Sequence, residues 1–254
     1  MTTKMAKRTR DRLVLQLRKY QRIVSKLRER DISEADTVTV VKDILSDLFG
    51  YDKYIELTSE QQIRGTFCDL AIKVEGKTYY LAEVKAAGIN LNDTHLRQAV
   101  NYGANEGIEW VILTNAIEWR VYRIKFAKPI DYECVFAFDI CGLSMRKEED
   151  IELLGLLCRE HISSDALTAF HQQAQIVNRH VIAQFLRGPA SVAMVRKEIR
   201  RLWGIKVSDE EVERLIVAEV LKRDAVDGDA STQAASLIKK AMRSIDRAKA
   251  KVAG

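Results

Sequence analysis

Asp69, Glu83 and Lys85 are the residues whose types and spacing suit chemistry. Two ionised carboxylates brought close together repel one another. A hard divalent cation relieves that repulsion, and Mg²⁺ favours carboxylate and water oxygens. Such an ion polarises a phosphoryl oxygen and lowers the pKa of a bound water. Lys85, a compact cation two residues beyond Glu83, would neutralise charge developing on a phosphorane or orient the attacking water. Glu34 is a candidate additional carboxylate. The set suits phosphodiester hydrolysis.

A hairpin must position these groups. Phe67–Val74 and Thr78–Lys85 read as strands around the turn signal Glu75-Gly76-Lys77. Leu70, Ile72, Val74, Tyr80, Ala82 and Val84 are all apolar and all even-numbered. Directly opposed residues of an antiparallel pair share a face, so burying both sets together restricts the register. A three-residue loop at 75–77 opposes Val74 to Thr78 and therefore Asp69 to Glu83, with Cβ atoms ~4.5–5.5 Å apart. Lys85 follows on the same face. An acid-x-Lys triplet alone is weak in so charged a chain, and Glu75-Gly76-Lys77 is a second one. That triplet has no matching upstream Asp and falls on the turn. The parity argument is what distinguishes Glu83-Val84-Lys85.

Other elements frame the hairpin. Ser33-Glu34-Ala35-Asp36 fits a capping box that opens a helix with apolar stripe Val38, Val41, Leu45 and Leu48. Glu34 lies on that same stripe, in the first turn, where it could reach water with help from the helix dipole. A helix to about Asn105 packs through Leu96, Ala99, Val100 and Gly103, with Gln98 and Tyr102 four apart on a different face. Trp110–Thr114, Trp119–Ile124 and Tyr132–Phe138 read as strands. Helices are expected near 147–160, 165–186, 191–203 and 208–223, then a basic helix after Asp227-Gly228-Asp229. Arg196, Lys197, Arg200 and Arg201 read equally as phosphate contacts or as a solvated face. Leu13, Leu17, Tyr20, Val24 and Leu27 form a heptad-like seam on a basic N-terminal helix, for a partner helix or for the main domain. The expected divisions are 1–31, 32–144, 145–226 and 227–254, with the main boundary near Gly142 to Lys147.

Composition bounds the rest. The 254 residues are 47% hydrophobic and 30% charged, enough apolar material for a core. Two Pro and 12 Gly argue against disorder and turn-dense all-β architectures and favour long helices with a limited sheet. No apolar run approaches the ~18 residues of a membrane span, and no signal-peptide pattern is present. Four cysteines without a C-x-x-C pair indicate a reduced, cytoplasmic protein. Residues 1–31 carry net +8 and 233–254 net +5, leaving −8 between them. Basic ends suit a polyanion such as nucleic acid.

Asp69 … Glu83-Val84-Lys85 resembles the signature of the PD-(D/E)XK nuclease superfamily. The wider stretch, about 33–125, resembles the N-terminal nuclease domain of type I restriction enzyme R subunits. That likeness rests on Ser33-Glu34-Ala35-Asp36-Thr37, Phe67-Cys68-Asp69-Leu70, Ala82-Glu83-Val84-Lys85, Gln98-Ala99-Val100-Asn101-Tyr102, Glu109–Asn115 and Glu118–Tyr122. It implies an α/β fold: a restriction-endonuclease-like αβββαβ core with flanking helices and, here, a helical C-terminal region. It implies Mg²⁺, or Mn²⁺, held by Asp69 and Glu83, with Glu34 matching the first-helix acid and Lys85 as the catalytic lysine. Gln98 and Tyr102 match a Q-x-x-x-Y element near such sites. Cys68 stands where the name-giving Pro would be. R subunits continue into an ATP-driven translocase, whereas this sequence carries no ATPase signature. Gly76-Lys77-Thr78 imitates the end of a P-loop but joins two strands, and position 71 is Ala rather than Gly. The implied activity is a stand-alone, metal-dependent DNA endonuclease of restriction or defence. DNA is its partner, and a homo-oligomer or a partner protein of a defence complex is possible. The alternative is a nuclease fold that binds DNA or assembles a complex without cutting.

Overall fold

The computed structural model describes residues 5–252 apart from 28, 29, 31, 64, 65, 163 and 164. Two compact units divide the chain, Met1–Phe170 and His171–Gly254. In the first unit the elements run α1 (Lys7–Leu27), α2 (Glu34–Asp47), β1 (Leu57–Ile63), β2 (Thr66–Val74), β3 (Lys77–Val84), α3 (Arg97–Glu106), β4 (Trp110–Thr114), β5 (Glu118–Lys125), β6 (Asp131–Asp139), α4 (Glu148–Gly155) and α5 (Arg159–Ile162), with α6 (Ala166–Ile176) crossing the boundary. The fold is α/β, with a six-stranded mixed sheet in the order β1-β2-β3-β4-β5-β6. Among the described residues, only β3 and β4 pair in parallel, with α3 as their crossover.

Both faces of the sheet are buried. Leu70, Ile72, Val74, Tyr80, Ala82 and Val84 face one core, which also takes Leu13, Leu17, Tyr20, Val24 and Leu27 of α1 and Val41, Ile44 and Leu45 of α2. Ala71, Leu81, Val111 and Leu113 face a second core under Leu96, Ala99, Val100 and Tyr102. The even-numbered set thus shares one face, as the sequence required. The α1 seam fills the protein's own core, packing near α2, α4 and the turn at Ile140–Gly142, and is not left for a partner helix. On α3, an added Cβ at Gly103 would meet the Ile108 carbonyl oxygen at 2.9 Å and Ile124 Cδ1 at 2.6 Å, so glycine lets the helix lie close to the sheet.

Three expectations are corrected. The β2–β3 loop is not 75–77. Lys73 opposes Thr78 and Val74 opposes Lys77, leaving a two-residue turn of Glu75 and Gly76, with φ of 53° and 79°. Such positive φ values match the strand twist in tight hairpins. A register shift between Ile72 and Lys73 then inserts Tyr79 as an extra residue, and the pairs Ile72↔Tyr80 and Leu70↔Ala82 return to the expected frame. Second, the residue pattern did not mark β1, although the αβββαβ core that the resemblance implies has a strand in that place. Its Ser59-Glu60-Gln61-Gln62 centre lacks the β-branched alternation of a strand, and pairing to β2 along the sheet edge supplies the order. Third, the division falls after Phe170 rather than near 142–147, because Ile151, Leu154 and Leu157 belong to the first core.

The second unit is helical: α7 (Arg179–Leu186), α8 (Pro189–Trp203), α9 (Asp209–Leu215), a π turn (Ile216–Val220), α10 (Arg223–Val226) and α11 (Asp229–Val252). The helix expected over 165–186 breaks because the Asn178 side chain accepts hydrogen bonds from the backbone N–H groups of His180 and Val181 and so starts α7. The helices expected over 147–160 and 208–223 are likewise interrupted, at Leu156–Cys158 and by the π turn. No helix of the described residues is long and apolar enough to cross a membrane.

Candidate active site

Glu83 is the next-to-last residue of β3, and Lys85 leaves the strand with its backbone N–H bonded to the Thr114 carbonyl oxygen of β4 at 2.9 Å. The Lys85 backbone is therefore anchored by the parallel neighbour. Its Nζ reaches Glu83 Oε1 at 2.7 Å and Glu34 Oε2 at 3.3 Å and donates to the Val84 carbonyl oxygen at 3.1 Å. The last ladder pair of β2 and β3 is Leu70↔Ala82. Beyond it, Asp69 Oδ2 takes the place of a backbone carbonyl and accepts from the Val84 N–H at 2.7 Å. That bond ties Asp69 to the strand carrying Glu83. The expected register holds, but a side chain rather than a ladder pair makes the link.

Glu34 arrives from α2. The Ser33 side chain caps the helix by accepting from the Asp36 N–H at 3.1 Å. Thr37 lies on the buried stripe, and its Oγ1 accepts from the Ala87 N–H at 3.2 Å just past β3. Sequence reasoning missed Thr37 as a positioning residue, and its signal was a hydroxyl on an apolar stripe. The Ser33 cap and the Thr37 bond bring the first turn of α2 to the end of β3. Glu34 is exposed, as its place in the first turn suggested, and it also reaches Lys85.

The electrostatics follow from burial. Glu83 is only 6% exposed. Desolvation pushes its carboxyl up to about 6; the charges of Asp69 and Glu34 add to the rise, and Lys85 opposes it. Desolvation also works against the Lys85 ammonium. Its hydrogen bond to Glu83 and the charges of Glu83, Asp69 and Glu34 outweigh that and raise its pKa. Four charges from three elements therefore act on one another.

The raised Glu83 pKa has a measurable consequence. The folded protein holds this proton to higher pH than the ordinary value of 4.5. The group's stabilisation is thus fully present below about pH 4.5 and lost as pH rises through about 6, a difference of about 2 kcal/mol. In urea unfolding followed with a chelator present, the stability of wild type relative to Glu83→Gln is expected to fall by about that amount between pH 4.5 and pH 7. A difference that stays flat over this window would place Glu83 in an ordinary solvated environment.

The remaining sequence-derived residues lie elsewhere on the unit. Contrary to the expected shared face, Tyr102 joins Ala99, Val100 and Gly103 on the buried side of α3, because the second core extends over it, and Gln98 is exposed one turn before it. Among the described residues, no hydrogen bond ties either to Glu83 or Lys85. Gly76-Lys77-Thr78 joins β2 to β3 and heads no helix, in contrast to a P-loop.

The first unit is thus an α/β unit, a mixed sheet flanked by helices on both faces, with two acids and a lysine at the end of its β2–β3 hairpin. Residues 41–135 match the family model of the type I restriction enzyme R protein N terminus. The matched segment runs from within α2 into β6 and contains Asp69, Glu83, Lys85, Gln98 and Tyr102, while Glu34 precedes it. No curated protein and no solved structure matches the chain.

Proposed function

We propose that the protein is a metal-dependent endonuclease that hydrolyses DNA phosphodiester bonds in restriction or defence against foreign DNA. The observation that carries this reading is the mutual electrostatic action of Asp69, Glu83, Lys85 and Glu34 within or beside the segment that resembles an R protein N terminus. The Asp69 … Glu83-Val84-Lys85 pattern resembles that of the PD-(D/E)XK superfamily, and this resemblance supports the reading.

The donor set fits a hard cation. Among the described residues, no three His, Cys, Asp or Glu side chains form a ready-made metal cage. Mg²⁺ is commonly held by one or two carboxylates, with waters and substrate phosphate completing the shell. Asp69 and Glu83 would hold Mg²⁺ or Mn²⁺, with Glu34 as an outer carboxylate. The ion would polarise the scissile phosphoryl group and lower the pKa of water. Burial of Glu83 beside Asp69 favours a neutralising partner, and the Lys85 ammonium supplies one in this structure. When DNA is bound, Lys85 would turn that charge toward the phosphate, whose negative charge grows as water attacks in line.

Conversion of supercoiled plasmid to nicked or linear DNA with Mg²⁺ or Mn²⁺, and its arrest by a chelator, is the expected result. Retained DNA binding with no cleavage under either metal would overturn the enzyme reading in favour of a non-cleaving DNA-binding module.

A further inference from the structure

Helix α11 of the second unit has two unlike faces. Ser236, Lys239, Lys240, Arg243, Ser244 and Arg247 line one surface concavity. At about 100° per residue these six side chains fall within an arc of about 140°. Ala234, Ile238, Ala241 and Ile245 centre on the opposite side, and Asp246 lies off the cationic arc. The first turns of the helix are docked on α7: Ser231 and Ala234 are buried, and Ser231 Oγ accepts from Gln184 Nε2 at 2.9 Å. The cationic face is left outward.

Among the described residues, none of these four cations makes an ion pair or a hydrogen bond. Three cations elsewhere in the same unit are paired, Arg196 with Asp209 at 3.1 Å, Arg201 with Glu198 at 2.7 Å and Arg179 with Asp224 at 2.8 Å, whereas the four of α11 stand together on one face. Four like charges within about 12 Å of helix repel one another unless a polyanion covers them. That length matches three to four phosphates of one DNA strand, at about 3.4 Å of axis each. Ser236 and Ser244 add hydroxyl donors at the edges of the arc, as backbone-positioning contacts do.

We propose that this face of α11 binds the sugar–phosphate backbone of duplex DNA without reading its sequence. The surface belongs to the second unit and the carboxylate cluster to the first, and the proposal rests on the nuclease reading only for the identity of the polyanion. The alternative occupant of a basic amphipathic helix is an anionic membrane. Interfacial helices present Trp, Phe and Leu to the lipid. Helix α11 has no aromatic residue, and its proximal apolar face is occupied by α7.

The test is anisotropy of a labelled duplex of about 20 base pairs titrated with the full chain, in EDTA, between 50 and 200 mM salt. Each phosphate contact contributes about −0.9 to the slope of log K against log salt, so four account for about a 150-fold fall in affinity over this range. The variant Lys239→Gln/Lys240→Gln/Arg243→Gln/Arg247→Gln is expected to lose about 3.6 of that slope. Gln is a good helix former, and circular dichroism checks that the fold is kept. Arg196→Gln/Arg201→Gln, which removes paired cations of α8, is expected to leave the slope unchanged. A wild-type slope in the α11 variant, an equal loss in both variants, or tighter binding to phosphatidylserine vesicles than to DNA would each overturn the proposal. Because EDTA removes the metal, this result and plasmid cleavage succeed or fail separately.

Discussion

Asp69→Ala and Lys85→Ala are each expected to slow metal-dependent plasmid cleavage by roughly 10²–10³-fold, the cost of removing one preorganised charge from a transition state. The two variants fail for different reasons. Asp69→Ala removes a carboxylate placed to hold the cation and frees the Val84 N–H that it engages. Lys85→Ala removes the group that faces the phosphate and leaves Glu83 buried beside Asp69 without its cationic partner. Removing one member of a buried pair costs stability as well. Lys85→Met, which keeps most of the side chain's volume, and a thermal melt of each variant separate lost chemistry from lost fold. Glu34→Ala is expected to cost about tenfold or less, since Glu34 is half-exposed and its contact to Lys85 is the longer one. Cleavage that survives both Asp69→Ala and Lys85→Ala would place the active site elsewhere.

Trp119→Ala is expected to be the most destabilising single substitution, at about 3–5 kcal/mol. The indole is fully buried. It meets Phe49 edge-on at 5.6 Å between ring centroids and stacks on Phe138 at 6.2 Å. Its Nε1 donates to the Ala116 carbonyl oxygen at 3.1 Å, a bond that alanine cannot replace. Residues that follow α2 and lie at the ends of β5 and β6 are thereby held together, so the cavity cannot close by moving one of them. Trp203 is 68% exposed at the end of α8 and provides the control, with an expected change within about 0.5 kcal/mol for Trp203→Ala. Urea unfolding followed by circular dichroism measures both, since each variant loses a fluorophore. Similar small losses in the two variants would mean that Trp119 does not hold this core together.

Much of the hairpin was legible before any coordinates. Alternation in strands has a period of two, so one buried face determines the pairing frame, and Leu70, Ile72, Val74, Tyr80, Ala82 and Val84 left one frame open. The turn itself was misread by one residue, yet the extra Tyr79 restored the frame, because burial of six apolar side chains outweighs the geometry of one loop. The α2 cap was legible for a related reason: Ser33 and Asp36 interact across three residues.

What sequence alone determined, then, was whatever depends on local spacing: the shared face of the β2–β3 hairpin, the closeness of Asp69 and Glu83, the buried face of α1, and the capped start of α2. Tertiary structure decided the rest. β1 is ordered through its pairing with β2, which its polar sequence does not announce. The α1 seam fits any apolar partner, and only the assembled core shows that the partner is the protein's own sheet and helices. Glu34 read as a first-turn acid reaching water and as a candidate carboxylate, and the Thr37 bond to Ala87 is what brings it to Lys85. Periodicity reports which way a side chain faces along its own element, whereas the identity of what it meets depends on contacts between residues far apart in the chain.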